Sequence, residues 1–281
     1  MKTLLIALAG LIACTTVSGQ SFVDVLRIKH AVPLSSETTG YEPMSTINLE
    51  AGVQAFGPHY LLFNYNGSRR VIQSDAFDLT GTREIYENGL ATGVYLLPEG
   101  KPWKLMLLGR LQWNGVYQNG TWPDFQPAIF ALFRYRVNPK LEIDVGSYYA
   151  RQLFGGFYIP LLGGTWQVGD EWTLSFRAPQ SGTLRWADSQ KPLAGGVWFE
   201  ANIQSYTIPG QPFDHLQSNE IYAGVFGEFA LWPFLVLRVE PTYALAQNLQ
   251  WQDADGELIV EESRPGSFYL RFGLHYRMYT N

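Results

Sequence analysis

The chain has 281 residues, a formal net charge of −5, 16% charged side chains, 15% aromatic ones and a single cysteine. The acidic balance argues against a nucleic-acid partner, because such a binder carries a basic footprint. Charged residues fall well below the roughly 25% typical of soluble domains, and a lone cysteine allows no disulfide within the chain.

The amino terminus, "MKTLLIALAGLIACTTVSGQ", places Lys2 before an apolar run from Leu4 to Ala13 and then small residues. That is the layout of a secretory signal peptide. The run is too short for a transmembrane helix, which needs about 20 apolar residues. Cleavage after Gly19 would remove residues 1–19 and leave 20–281 as one barrel domain without cysteine. The alternative is lipoprotein processing, since Leu11 to Cys14, "LIAC", resembles a bacterial lipobox that would leave Cys14 as a lipid-anchored first residue. Either route takes the protein out of the cytoplasm.

No stretch after the leader has a helical period. Segments of period two recur instead, at 22–31, 44–55, 60–67, 84–97, 103–114, 125–137, 141–150, 157–168, 172–179, 183–187, 194–206, 218–231, 235–246 and 267–279. Membrane strands need about 9–11 residues, and most of these comply. Low charge without long apolar helices points to an all-β fold, a single antiparallel transmembrane β-barrel of fourteen strands, with twelve as the alternative. The links alternate in length: "FGPH", "PEGKP", "NPK", "GDE", "DSQKP" and "WPF" are short, with longer stretches between them. Short periplasmic turns and long extracellular loops are the pattern of outer-membrane barrels.

Three short links allow residues to be paired. If 138–140, 169–171 and 232–234 are three-residue loops, Val137 faces Leu141, Tyr135 faces Ile143, and Phe229 faces Leu237 on the apolar side. Trp166 then faces Leu174. On the polar side Arg136 faces Glu142, Arg134 faces Asp144, Gln167 faces Thr173 and Glu228 faces Arg238. Each opposed pair contributes roughly 0.2–1 kcal/mol, and a one-residue slip would mix the faces in all three hairpins.

The last segment, "SFYLRFGLHYRMYTN", sets Phe268, Leu270, Phe272, Leu274, Tyr276 and Met278 on one parity, with Arg271, Gly273, His275 and Arg277 on the other. An Arg on the lipid face at the bilayer midplane would cost roughly 2–4 kcal/mol, so the charged parity is expected to face the lumen. The expected lumen lining is Arg134, Arg136, Glu142, Asp144, Glu228, Arg238, Glu240, Arg271, His275 and Arg277. Trp103, Trp172, Trp186 and Trp232 cluster at the short-turn end and are expected to form an aromatic belt, with Trp113 and Trp122 near the other end.

The carboxy-terminal strand resembles the insertion signal of bacterial outer-membrane proteins: a polar residue, then Gly, an aromatic and a large apolar residue at fixed spacing. Arg271, Gly273, Tyr276 and Met278 fill those places; the tail Tyr279-Thr280-Asn281 departs from the pattern, which commonly ends on an aromatic. The resemblance implies recognition by the barrel-assembly machinery. The stretch "FYIPLLGGTWQVGDEWTLSFRAPQSGTLRWA" also resembles a Bacteroidota outer-membrane barrel family of unassigned function. That likeness implies fold and location, and no catalytic residue.

No catalytic, cofactor or metal site is expected. His30, His59, His215 and His275 are scattered, with no pair at ligand spacing. Some outer-membrane barrels hydrolyse lipid with Ser and His on the outer wall, but His275 shares the lumen parity. "WQDADGELIVEE" puts Gly256, Asp253, Asp255 and Glu262 where a calcium loop has them, yet Trp251 stands where an Asp is required. The competing reading is a hairpin turning at Asp255-Gly256. The sequons at Asn66 and Asn119 are read as Asn-Gly turns. The expected function is a passive pore or solute-uptake channel in the cell outer membrane, with lipid, the assembly machinery and a small solute as partners. A non-conducting structural or receptor barrel is the alternative, and a lipid-modifying enzyme a third class.

Overall fold

The computed structural model of the chain describes residues 21–34, 44–72, 83–117, 123–188, 191–208, 214–264 and 266–280. The expected leader with Cys14, and also Asn119 and Trp122, lie outside them. The strands among them are β1 (Ser21–Pro33), β2 (Met44–Phe56), β3 (His59–Ile72), β4 (Arg83–Leu96), β5 (Trp103–Gly115), β6 (Phe125–Asn138), β7 (Leu141–Gln152), β8 (Gly155–Val168), β9 (Trp172–Ala178), β10 (Ser181–Ala187), β11 (Leu193–Thr207), β12 (His215–Trp232), β13 (Leu235–Gln252), β14 (Leu258–Arg264) and β15 (Ser267–Thr280). Neighbours in sequence pair from β1 to β13, and β15 closes the ring by pairing with both β13 and β1. The result is a closed antiparallel barrel of fourteen strands. β14 stands outside the ring, paired to the far end of β13.

Burial is inverted relative to a water-soluble protein. On the outward parity Ile129 is 62% exposed, Leu162 58% and Val145 54%, whereas inward-pointing Asp144, Glu240 and Arg277 are each 2% exposed. An exterior of bare aliphatic side chains around a charged interior is the arrangement that hydrocarbon selects. Trp103 and Trp113 mark its height, because both lie on β5. Their separation of ten residues, at about 3.3 Å each and a tilt near 40°, spans about 25 Å, the height of an outer-membrane apolar band. At the short-turn end Trp103 stacks on Phe133, Trp172 pairs across from Trp186, and Trp232 stands exposed.

Two of the three assumed loops are tighter than three residues. Asn138 pairs directly with Leu141, so Val137 is bulged out rather than facing Leu141. Pro139 presets the backbone for a two-residue turn, and the Asn138 side-chain oxygen accepts from the Lys140 amide at 2.8 Å. The bulge returns the strand to register, and Arg136 still faces Glu142. Trp232 likewise pairs with Leu235, with the slip absorbed between Ala230 and Trp232. The sequon at Asn66 is not a turn: Asn66-Gly67 lies within β3, paired with Asn48 and Gly89.

β12 and β13 hold eighteen residues each, more than a span requires, and rise beyond the band at the long-loop end. The β13–β14 hairpin is the expected one, with Gly256 at φ +81° closing its turn. The Asp253 carboxylate accepts from the amides of Asp255 and Glu257 at 3.0 and 2.9 Å, which commits it to the turn.

β9 and β10 hold only seven residues each. β8 therefore pairs with β9 only from Leu162 to Val168, and β11 with β10 only from Ala194 to Glu200. Above that short hairpin no described strand fills the wall between Gly155–Leu161 of β8 and the end of β11. The end of β11 instead leans inward and pairs in parallel with β5, Thr207 against Gly115. Asn114 and Gln126, from β5 and β6, donate to the Ser205 carbonyl at 3.3 and 3.1 Å. Ser205, on an outward parity, is consequently 1% exposed.

Replacing Val145, halfway up the lipid face, with Arg is expected to lower the folding free energy in vesicles by about 2–4 kcal/mol. Leu258→Arg, above the band, should change it by about 0.5 kcal/mol or less. Denaturant refolding into lipid vesicles measures both.

Candidate functional site in the barrel lumen

Strand alternation brings the inward charges into two networks near the short-turn end. The first runs around the wall from β1 through β15, β13 and β12 to β10. Arg277 grips Glu228 with both terminal nitrogens at 3.0 Å and donates from Nε to Asp24 at 2.7 Å. Arg185 and Arg238 reach the same Glu228, each at 3.1 Å. Arg238 also bonds Glu240 through Nε, and Lys29 reaches Glu240 at 3.3 Å. His275 Nδ1 lies 2.9 Å from Asp24. The second network joins β5, β6 and β7: Arg134 forks onto Asp144 at 2.6 and 2.8 Å, and Lys104 and Arg136 share Glu142 at 2.9 and 3.1 Å.

Nine of the ten inward-pointing residues singled out from the sequence belong to these networks; the tenth, Arg271, lies above them. Asp24, Lys29, Lys104 and Arg185 complete the networks and were missed. Asp24 and Lys29 have opposite parity in the sequence, and both point inward only because a bulge between Asp24 and Leu26 shifts the register. Gly273 has a packing role, because a Cβ there would come within 2.9 Å of His275 Nε2. Tyr276 and Met278 lie on the opposite, outward parity, with Tyr276 against the Phe234 ring.

At the long-loop end the contacts cross the lumen instead of following its wall. Arg70 of β3 forks onto Glu220 of β12 at 2.6 and 3.2 Å, although four strands separate them around the ring. Tyr206 of β11 donates to Glu87 of β4 at 2.6 Å, and Arg70 lies 3.4 Å from Glu87. Above them Ile85, Leu216, Leu249 and Trp251 form a buried apolar cluster with Tyr206. None of these latch residues was singled out. Arg70 falls in a stretch read as a loop, although Asn64, Asn66, Ser68 and Arg70 keep one parity and would have extended the strand.

Arg271 makes no ion pair among the described residues. It faces Glu240 across the ladder but turns instead over the rings of Trp198 and Tyr222, at 5.0 and 4.7 Å from their centres. Arg271 Nε, Trp198 Nε1 and Gln247 Oε1 are buried without a partner. Leaving a buried donor or acceptor unpaired costs about 1–3 kcal/mol.

On the outer wall His30 Nδ1 lies 2.9 Å from Ser45 Oγ. No carboxylate among the described residues pairs with His30, so the dyad lacks the group that would orient its imidazole. Nearby, outside the membrane span, Arg69 and Tyr86 hydrogen-bond Glu84 and pull its carboxyl from 4.5 to about 2.

No protein-family model matches the chain, and no curated protein matches it significantly. Among solved structures it is similar to the NanC porin, at 7% identity and a TM-score of 0.41 over 89% of this chain and 98% of that one. It is also similar to the Pseudomonas putida toluene transporter TodX, at 8% identity and 0.40 over 92% and 89%. A third likeness is the KdgM porin in complex with disordered oligogalacturonate, at 8% identity and 0.36 over 89% and 97%. These likenesses are too distant to bear on function, and the barrel stands on its own strand pairing.

Glu228→Ala strips three guanidinium groups of their shared acceptor and should destabilise the barrel by about 3–5 kcal/mol. Arg136→Ala, at a half-exposed site, should cost about 1 kcal/mol or less; urea unfolding in vesicles separates the two. Glu84 should titrate near 2 by carbon-13 NMR. Because its folded pKa lies below the unfolded one, its stabilising contribution is complete above the unfolded pKa and disappears as pH falls through the folded one.

Proposed function

We propose that this protein is a solute-uptake barrel of the bacterial outer membrane, lined by charge on its short-turn side and shut at rest at its outer mouth. The Arg70–Glu220 fork across the lumen carries this reading. The Tyr206–Glu87 bond and the apolar cluster above it support it. Toward the short-turn end the ion pairs follow the wall, so charge lines that part of the lumen without bridging it. Such a lining favours small charged or polar solutes. The short turns would face the periplasm, and Arg271, Gly273, Tyr276 and Met278 would present the insertion signal to the assembly machinery. Lipid covers the outer wall in this reading, the leader at 1–19 serves export, and the resemblance of 157–187 to a Bacteroidota barrel family is in keeping with it.

In planar bilayers the unaltered protein should be silent or nearly so. The variant combining Arg70→Ala, Glu220→Ala and Tyr206→Ala should show stepwise conductance. Steady conductance of equal size in both would remove the latch from the account.

A further inference from the structure

Below the latch, on the β1–β3 and β12–β15 side, lies a cavity lined among others by Arg70, Glu220, Tyr222, Gln247 and Arg271. Its size suits a few water-sized groups. Arg70 is committed to Glu220. Arg271 is 7% exposed and has no ion pair among the described residues. Its guanidinium carbon lies over the Trp198 and Tyr222 rings, and its buried Nε has no partner and is left to meet a ligand. Glu240 is opposite and has a free Oε2, yet its Oε1 is taken by Lys29 and Arg238, and Arg271 turns away from it. In the same wall Gln247 gives its Nε2 hydrogens to the hydroxyls of Tyr222 and Tyr269, so its unpartnered Oε1 remains as an acceptor.

An unpaired cationic donor, Arg271 Nε, and an unpaired acceptor, Gln247 Oε1, on residues that line one cavity define a ligand by complement. We propose that this cavity binds a small carboxylate that also carries a hydroxyl, a hydroxy acid of glycolate or lactate size. The carboxylate pairs with the edge of Arg271, whose planar fork matches a carboxylate in a way a lysine ammonium does not. The ligand hydroxyl donates to Gln247 Oε1. The site names a solute class for the uptake barrel proposed above and takes that lumen as its setting. Its test is binding without transport, so a silent or leaky barrel leaves the result unaffected.

The experiment is isothermal titration of the folded full-length barrel in detergent with glycolate and with acetate. Circular dichroism confirms that each variant is folded. Glycolate should bind saturably and at least tenfold more tightly than acetate. Arg271→Met should abolish binding, and Arg271→Lys should weaken it about tenfold, keeping charge but losing the fork. Gln247→Met should remove the preference for glycolate while leaving acetate binding as it was. Absence of saturable binding to the unaltered protein, or equal binding by a folded Arg271→Met variant, would overturn the site. Acetate binding as tightly as glycolate would overturn the assignment of the hydroxyl.

Discussion

The barrel depends on one seam, where β1 at the beginning of the described chain pairs with β15 at its end. Hydrocarbon offers no hydrogen-bond partner, so a sheet crossing it must have no open edge. Every other ring contact joins strands close in sequence; this one must be found across the whole chain. Polar chemistry inside the lumen fixes its register. Asp24 faces Arg277 and accepts from it, and the same carboxylate bonds the His275 ring.

Putting the apolar residues outside leaves the charges to fill the interior, where they must be paired to be tolerated. Glu228 accepts from three arginines, and Asp144 is held by a single forked one. These pairs connect strands that are neighbours or one strand apart and stiffen the wall without bridging the lumen. The latch differs because Arg70, from an extended strand, reaches a carboxylate beyond four intervening strands.

That reach has a cause in the short β9–β10 hairpin. Once β10 ends, the backbone groups of β11 beyond Glu200 lose their neighbour on that side and need other partners. Ala201 takes the last one from Gln180, and beyond it β11 bends onto β5, where Asn114 and Gln126 supply side-chain donors. The bend draws Tyr206 in toward Glu87 and narrows the mouth enough for the apolar cluster to close over it. A short hairpin on one side of the wall thus shapes the mouth on the other. The same shortening leaves the outer part of β8 with β7 alone as a partner, and Pro160 lies in this edge segment, where proline is tolerated.

Period-two alternation by itself determined the strands and their two faces, because a side chain's parity is a local property of extended backbone. The cost of Arg in lipid chose which face looks outward, and only the closed ring chose fourteen strands over twelve. It also placed Arg134 with Asp144 and Glu228 with Arg238, since tight turns carry parity across a hairpin. Three things escaped it. Bulges at the starts and ends of pairings shifted Asp24 and Val137 without any mark in the pattern. Arg70 and Glu220 belong to strands 150 residues apart in sequence. The bend of β11 answers an absence in a neighbouring strand, not a residue of its own. Only the closed ring decides which distant side chains meet, because that depends on how many strands lie between them and how far each rises.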